Sequence, residues 1–276
     1  MEGRLVKIFA NHAHVFPASL RPEGTIDRLL TMLDACGIEQ AVCFAPFPHE
    51  LETHNVWLAN ELKGRDRLVG FGTLDLRRDD QRDQVRRVVD LGLPGLKLHP
   101  NAQQFDLLSR EALLAYEAAQ EAGLFISFHS GVHHYRIEHY NVLKFDEIAW
   151  RFPDLRFSME HVGGWAFFQD AVAVICNNIP FPPIPGRKCR VYGGLTSVFT
   201  PNYIRMWYMP PDRMMELIRQ VGAEQLIFGL DFPYNLEQNT KMALKAIGEL
   251  PISEVEREVI LGGNLRELLR LPDSRT

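Results

Sequence analysis

The chain has 276 residues, a formal net charge of −5, and 46% hydrophobic and 24% charged residues. That is ordinary globular composition, sufficient for one large core, and a single domain over residues 1–276 is expected. No Lys/Arg run points to nucleic acid, no apolar run reaches the ~18 residues of a membrane span, and Met1-Glu2-Gly3-Arg4 opens no apolar signal region. A cytoplasmic protein is expected, and the four cysteines, which form no C-x-x-C pair, suit that reducing compartment.

Strand-like and helix-like segments alternate along the chain. Leu5 to Ala10 reads as a buried strand leading into Asn11-His12-Ala13-His14, where period-two alternation would point both histidines the same way. Helical spacing then runs from Thr25 to Cys36, stopped by Gly37. Gln40–Phe47 is a second strand, His49–Leu62 a helix, Leu68–Leu76 a third strand and Asp79–Leu91 a charged amphipathic helix. A fourth strand, Gly95–Pro100, precedes a helix from Ser109 to Ala122 with Ser109 as its N-cap. Leu124–Gly131 is strand five, Val142–Phe152 helical, and Leu155–His161 strand six, followed by a helix to Ile175. The proline-rich Asn177–Lys188 is a loop, Arg190–Phe199 strand seven, Pro211–Val221 a helix and Leu226–Pro233 strand eight. Helices at Glu237–Ile247, Ser253–Ile260 and Asn264–Leu271 close the sequence.

Eight such repeats mean an α/β fold, either a closed (β/α)8 TIM barrel or a doubly wound open sheet. No G-x-G-x-x-G follows the first strand, so the barrel is the expectation.

Polar and ionisable residues collect at the C-terminal ends of the strands: His12 and His14, Asp75, Lys97 and His99, His129, His161 and Asp231. In a barrel that rim is the active face. Each residue alone has a bland reading as a strand cap, a core histidine or a turn former; their common placement is what points to a metal centre. Three imidazoles and one carboxylate, His12, His14, His129 and Asp231, fit one divalent cation, most simply Zn²⁺, which would make a water acidic near pH 7. Asp231 would then act as the proton acceptor and donor. His161 would polarise a carbonyl, orient the water, or serve as a fifth ligand.

These residues, with the words Gly95-Leu-Lys-Leu-His-Pro100, His129-Ser-Gly131, His161-Val-Gly-Gly164, Phe228-Gly-Leu-Asp-Phe-Pro233 and Gly263-Asn264, resemble the amidohydrolase superfamily, and its amidohydrolase-related branch in particular. The resemblance spans nearly the whole chain, although the chain is short for the decarboxylases of that branch. It implies a metal-dependent hydrolase of a small ester, lactone or amide, or alternatively a metal-dependent non-oxidative decarboxylase of a small carboxylic acid. It also implies metal binding by His12, His14, His129 and Asp231, and a catalytic role for His161. In some amidohydrolases a strand-four lysine is carboxylated and bridges two metals; for Lys97 the alternative is a charged lysine that binds a substrate carboxylate.

The loop His133–Tyr140 is dense in polar and aromatic groups, so Arg136 is expected to meet a substrate anion, and Lys97 and His99, which share a face at the end of strand four, are expected as further substrate-binding residues. Tyr203–Pro210 exposes large apolar groups for a loop, as a lid wall or a homodimer interface would. A small-molecule substrate is the expected partner, with neither nucleic acid nor membrane.

Overall fold

The computed structural model of the protein describes residues 6–182, 188–201 and 207–269. Its strands are β1 (Phe9–His14), β2 (Gln40–Phe44), β3 (Leu68–Gly72), β4 (Gly95–Leu98), β5 (Phe125–His129), β6 (Arg156–Glu160), β7 (Val191–Leu195) and β8 (Leu226–Phe232). All pair in parallel and in sequence order, and β1 pairs with β8 to close the barrel. The helices are α1 (Ile26–Cys36), α2 (His54–Glu61), α3 (Gln81–Asp90), α4 (Pro100–Gln103), α5 (Arg110–Glu121), α6 (Ile137–Tyr140) and α7 (Lys144–Arg151). They continue with α8 (Phe168–Asn178), α9 (Pro211–Val221), α10 (Glu237–Glu249), α11 (Glu254–Glu258) and α12 (Asn264–Leu269). None of these is long and apolar enough to cross a membrane.

Local chemistry sets the helix ends. Ser109 caps α5 with its hydroxyl, as its position suggested, and Thr25 caps α1 in the same way rather than starting its first turn. Gly37 ends α1 at φ 66°, a conformation open to glycine at little steric cost. The first strand starts later than its hydropathy implies. Val6 and Ile8 pack against the core, and the ladder begins only where Glu39 and Gln40 donate to the Ile8 carbonyl. The histidine pair therefore lies inside β1 rather than beyond it. Residues 49–53 precede α2 rather than belonging to it, and Asn177 and Asn178 extend α8 instead of opening the loop. Of the segment expected as a lid wall or dimer interface, residues 203–206 lie outside the described residues.

Two apolar layers hold the barrel. One lies between strands and helices; the other fills the lumen with Phe9, Phe44, Phe71, Phe125 and Tyr192, against Leu265 and Leu268 of α12. Most of these side chains plug the end near α12, while Phe44 reaches up to pack its ring against His12 and His14 beneath the C-terminal mouth. Asn264 fixes the plug, donating from Nδ2 to the Ala223 and Leu226 carbonyls at 2.8 Å each. Asn264→Ala orphans two buried carbonyls, and urea denaturation should show a loss of about 2–3 kcal/mol, whereas a surface substitution such as Glu254→Gln should change stability by less than about 0.5 kcal/mol.

Candidate metal centre

The ladder of β1 slips register between Ala10 and Ala13 against β2, and between Asn11 and Ala13 against β8. His12 sits in this bulge at φ 69°. In a regular strand Asn11 would face away from both histidines. Here all three side chains turn into the lumen, so the bulge, and not simple alternation, assembles this part of the site. Asp231, His161 and Ser197 also hold left-handed backbones, at φ 64°, 68° and 59°. Non-glycine residues rarely adopt such angles, and they gather where the surrounding structure enforces them.

One oxygen of Asp231, Oδ1, lies 3.5 Å from His12 Nε2 and 3.7 Å from His14 Nε2. These are long for hydrogen bonds. They match donors ~2.1 Å from a shared tetrahedral cation, which sit about 3.4 Å apart. His12, His14 and Asp231 form a buried group with ligand atoms within 4.8 Å of one another. Burial holds both imidazoles far below the usual histidine range, aided by neighbouring histidines and Lys97, so their lone pairs are free. Burial also pushes the Asp231 carboxyl up to about 6, although Ser197 Oγ donates to its Oδ2 at 2.6 Å and Lys97 lies near. Asn235 in turn donates to Ser197 Oγ.

His129 stands outside that trio. Its Nε2 lies 2.8 Å from the Gly131 carbonyl, and its Nδ1 lies 3.1 Å from His161 Nε2. His161 Nδ1 lies 2.8 Å from the Thr196 carbonyl. Both carbonyls only accept, so satisfying all three contacts needs three protons on four ring nitrogens, one positive charge in all. Burial opposes that charge: it pushes His161 down to about 3 and His129 well below its usual value. A neutral pair keeps two of the three contacts, and one such arrangement has His129 Nε2 releasing Gly131. Its lone pair is then available to another electrophile, and its Nδ1–H donates to His161.

The remaining expected residues divide. His99 is buried, caps α4 by accepting from the Ala102 N–H, and stacks on His129 with ring centres 3.8 Å apart. Lys97 lies within β4, fully buried, with no hydrogen-bond partner for its Nζ among the described residues; its nearest aromatic face is Phe44, 5.5 Å away. Burial pushes its pKa down to about 8 against the pull of Glu160 and Asp231. It therefore lies beneath the mouth and does not line the cleft. Arg136 precedes α6, is exposed, and is likewise absent from the cleft wall. Asp75 pairs with Arg77 at 2.8 Å.

The cleft over the trio has a volume of about 530 Å³ and is walled by Phe16, Phe47, His49, His99, His133, Trp207 and Tyr234. Trp207 stacks on His161 at 3.9 Å. Sequence reading missed Ser197 and Glu160, whereas Trp207 falls in the Tyr203–Pro210 segment expected as a lid wall and does wall the cleft. Glu160 carried a signal, since Ser158 and Glu160 share the period-two face of β6 opposite Phe157 and Met159.

A closed parallel barrel with histidines and an aspartate gathered at its C-terminal mouth defines the class. The amidohydrolase family model matches residues 18–271, and the chain belongs to that family. The match starts after His12 and His14. Among solved structures, 5-carboxyvanillate decarboxylase from Sphingomonas paucimobilis is 16% identical, with 97% of this chain and 100% of that one covered and a TM-score of 0.71. A dihydroxybenzoic acid decarboxylase from Polaromonas sp. JS666, with bound manganese and an inhibitor, is also 16% identical, covering 97% and 98%, with a TM-score of 0.71. A putative 2-pyrone-4,6-dicarboxylic acid hydrolase from Pseudomonas putida is 20% identical, covering 97% and 98%, again with a TM-score of 0.71. No curated protein matches by sequence.

Asp231 is the site's pH-sensitive group, because the imidazoles stay neutral well below its own pKa. Zn²⁺ affinity, measured by competition with a chelating dye, should fall as pH drops through about 6, where Asp231 takes up a proton. Removing the Ser197 hydroxyl withdraws a hydrogen bond that favours the charged carboxylate, so Ser197→Ala should move that fall to higher pH. An unmoved midpoint would contradict this assignment.

Proposed function

We propose that the protein is a metal-dependent hydrolase that cleaves a small ester, lactone or amide with one divalent cation, most simply Zn²⁺. The observation that carries this reading is the Asp231 carboxylate facing the Nε2 atoms of two neutral, buried imidazoles at the floor of the cleft. His12, His14 and Asp231 would hold the ion, with His129 as the fourth ligand once its Nε2 leaves Gly131. A divalent ion there supplies Lewis acidity, polarising an acyl group and making a water acidic near neutral pH.

The chain's own groups do the rest. Asp231, buried beside the cleft, would accept a proton from the attacking water and return it to the leaving group. His161 has its Nδ1–H committed to Thr196, so its Nε2 can only accept. That suits it to steady His129 or orient a water, rather than to donate to a carbonyl. His99 presents a ring to the cleft, while the flat walls of Phe47, Tyr234 and Trp207 exclude water from a planar acyl group. Lys97 contributes positive charge from below.

Decarboxylation is the second reading, favoured by the same aromatic walls, which fit a planar aromatic acid. There Asp231 would deliver its proton to carbon. Turnover in ¹⁸O-labelled water separates the two: hydrolysis puts label in the organic product, and decarboxylation releases CO₂ and leaves the organic product unlabelled. His161→Gln should keep its cation while turnover falls about 10²–10⁴-fold, with cation content read by elemental analysis. Loss of the cation instead would make His161 a ligand.

A further inference from the structure

Beneath the trio, Glu160 is the most heavily bonded side chain of the lumen and is fully buried. Its two oxygens have different neighbours. Oε1 accepts from Asn11 Nδ2 at 2.8 Å, Ser127 Oγ at 3.1 Å and Ser158 Oγ at 2.5 Å. Oε2 accepts from Thr196 Oγ1 at 2.5 Å and faces His12 Nδ1 at 3.3 Å. That nitrogen, also buried, makes no hydrogen bond of good geometry among the described residues, so Glu160 Oε2 faces it without closing fully onto it. Gly194 on β7 leaves the space this carboxylate fills, since a methyl group there would overlap it.

The His12 ring thus spans two carboxylates, with Nδ1 toward Glu160 and Nε2 toward Asp231. A neutral imidazole carries one proton, and only one of these faces is free to keep it. Three donors anchor Oε1, so the carboxylate cannot swing away and Oε2 stays turned on Nδ1. We propose that Glu160 is a positioning residue that keeps the His12 proton on Nδ1 and so presents a bare Nε2 to the cation. The inference rests on the reading of His12 as a ligand and extends it to a residue outside the ligand set. Carboxylates behind metal-bound imidazoles fix tautomer and ring angle, and their loss weakens metal affinity by about 10–100-fold.

Glu160→Gln tests it, because the substitution has a defined orientation. Three donors on the Oε1 side select the amide oxygen there, so the amide NH₂ falls opposite His12 Nδ1. It then favours the other tautomer, with a proton on Nε2. Zn²⁺ affinity by dye competition should drop about 10–100-fold, while Ser158→Ala, which removes one Oε1 donor and leaves Oε2 untouched, should keep wild-type affinity. Wild-type affinity in Glu160→Gln would overturn the proposal while leaving the metal centre standing. If wild-type protein bound no Zn²⁺, the metal-centre reading and this inference would fall together. Should Glu160→Gln not fold, the wild type still decides: in ¹¹³Cd-loaded, ¹⁵N-histidine-labelled protein, cadmium coupling should appear at Nε2 of His12. Coupling at its Nδ1 would overturn the proposal.

Discussion

The site depends on one seam, where β8 pairs with β1 and brings Asp231 against His12 and His14, more than two hundred residues away in sequence. That seam exists only if all eight strands close in order. Closure in turn needs the lumen filled at one end, which the phenylalanines and α12 supply, and open to polar groups at the other. A carboxylate facing two imidazoles in a buried mouth has few comfortable states. Burial disfavours charge on each group separately, and it favours a shared cation for all three.

The backbone around this seam is held in costly conformations. His12, Asp231, His161 and Ser197 all carry left-handed φ values, each costing about 1–3 kcal/mol in an ordinary setting. They sit within β1 and β8 or just past β6 and β7, where neighbouring ladders and buried hydrogen bonds such as Ser197 to Asp231 hold them. The strain turns side chains inward that a regular strand would send to the other face. Asn11 shows the consequence most plainly, since the bulge that admits His12 also brings Asn11 onto Glu160.

Much of this was legible beforehand. Alternating apolar runs and helical periods gave the barrel, and histidines at strand ends marked its mouth. Strand limits were harder, because Val6 and Ile8 are apolar yet pack outside the ladder, and hydropathy does not distinguish the two. The shared direction of His12 and His14 was expected for a mistaken reason: alternation predicted it, and a bulge produces it. Arg136 looked like an anion reader on residue type alone, but the loop leaves it exposed away from the cleft. Trp207 belonged to a segment marked by its large apolar groups, but its stacking on His161 was not legible, and Ser197 carried no sequence signal at all, because both contacts are made only in the folded chain.

The most direct measurement of the central claim is an anomalous difference map from a crystal of the zinc-loaded protein, collected at the zinc absorption edge. The account predicts one strong peak within coordination distance of His12 Nε2, His14 Nε2 and Asp231 Oδ1. A peak elsewhere, or none at full zinc content, would contradict it.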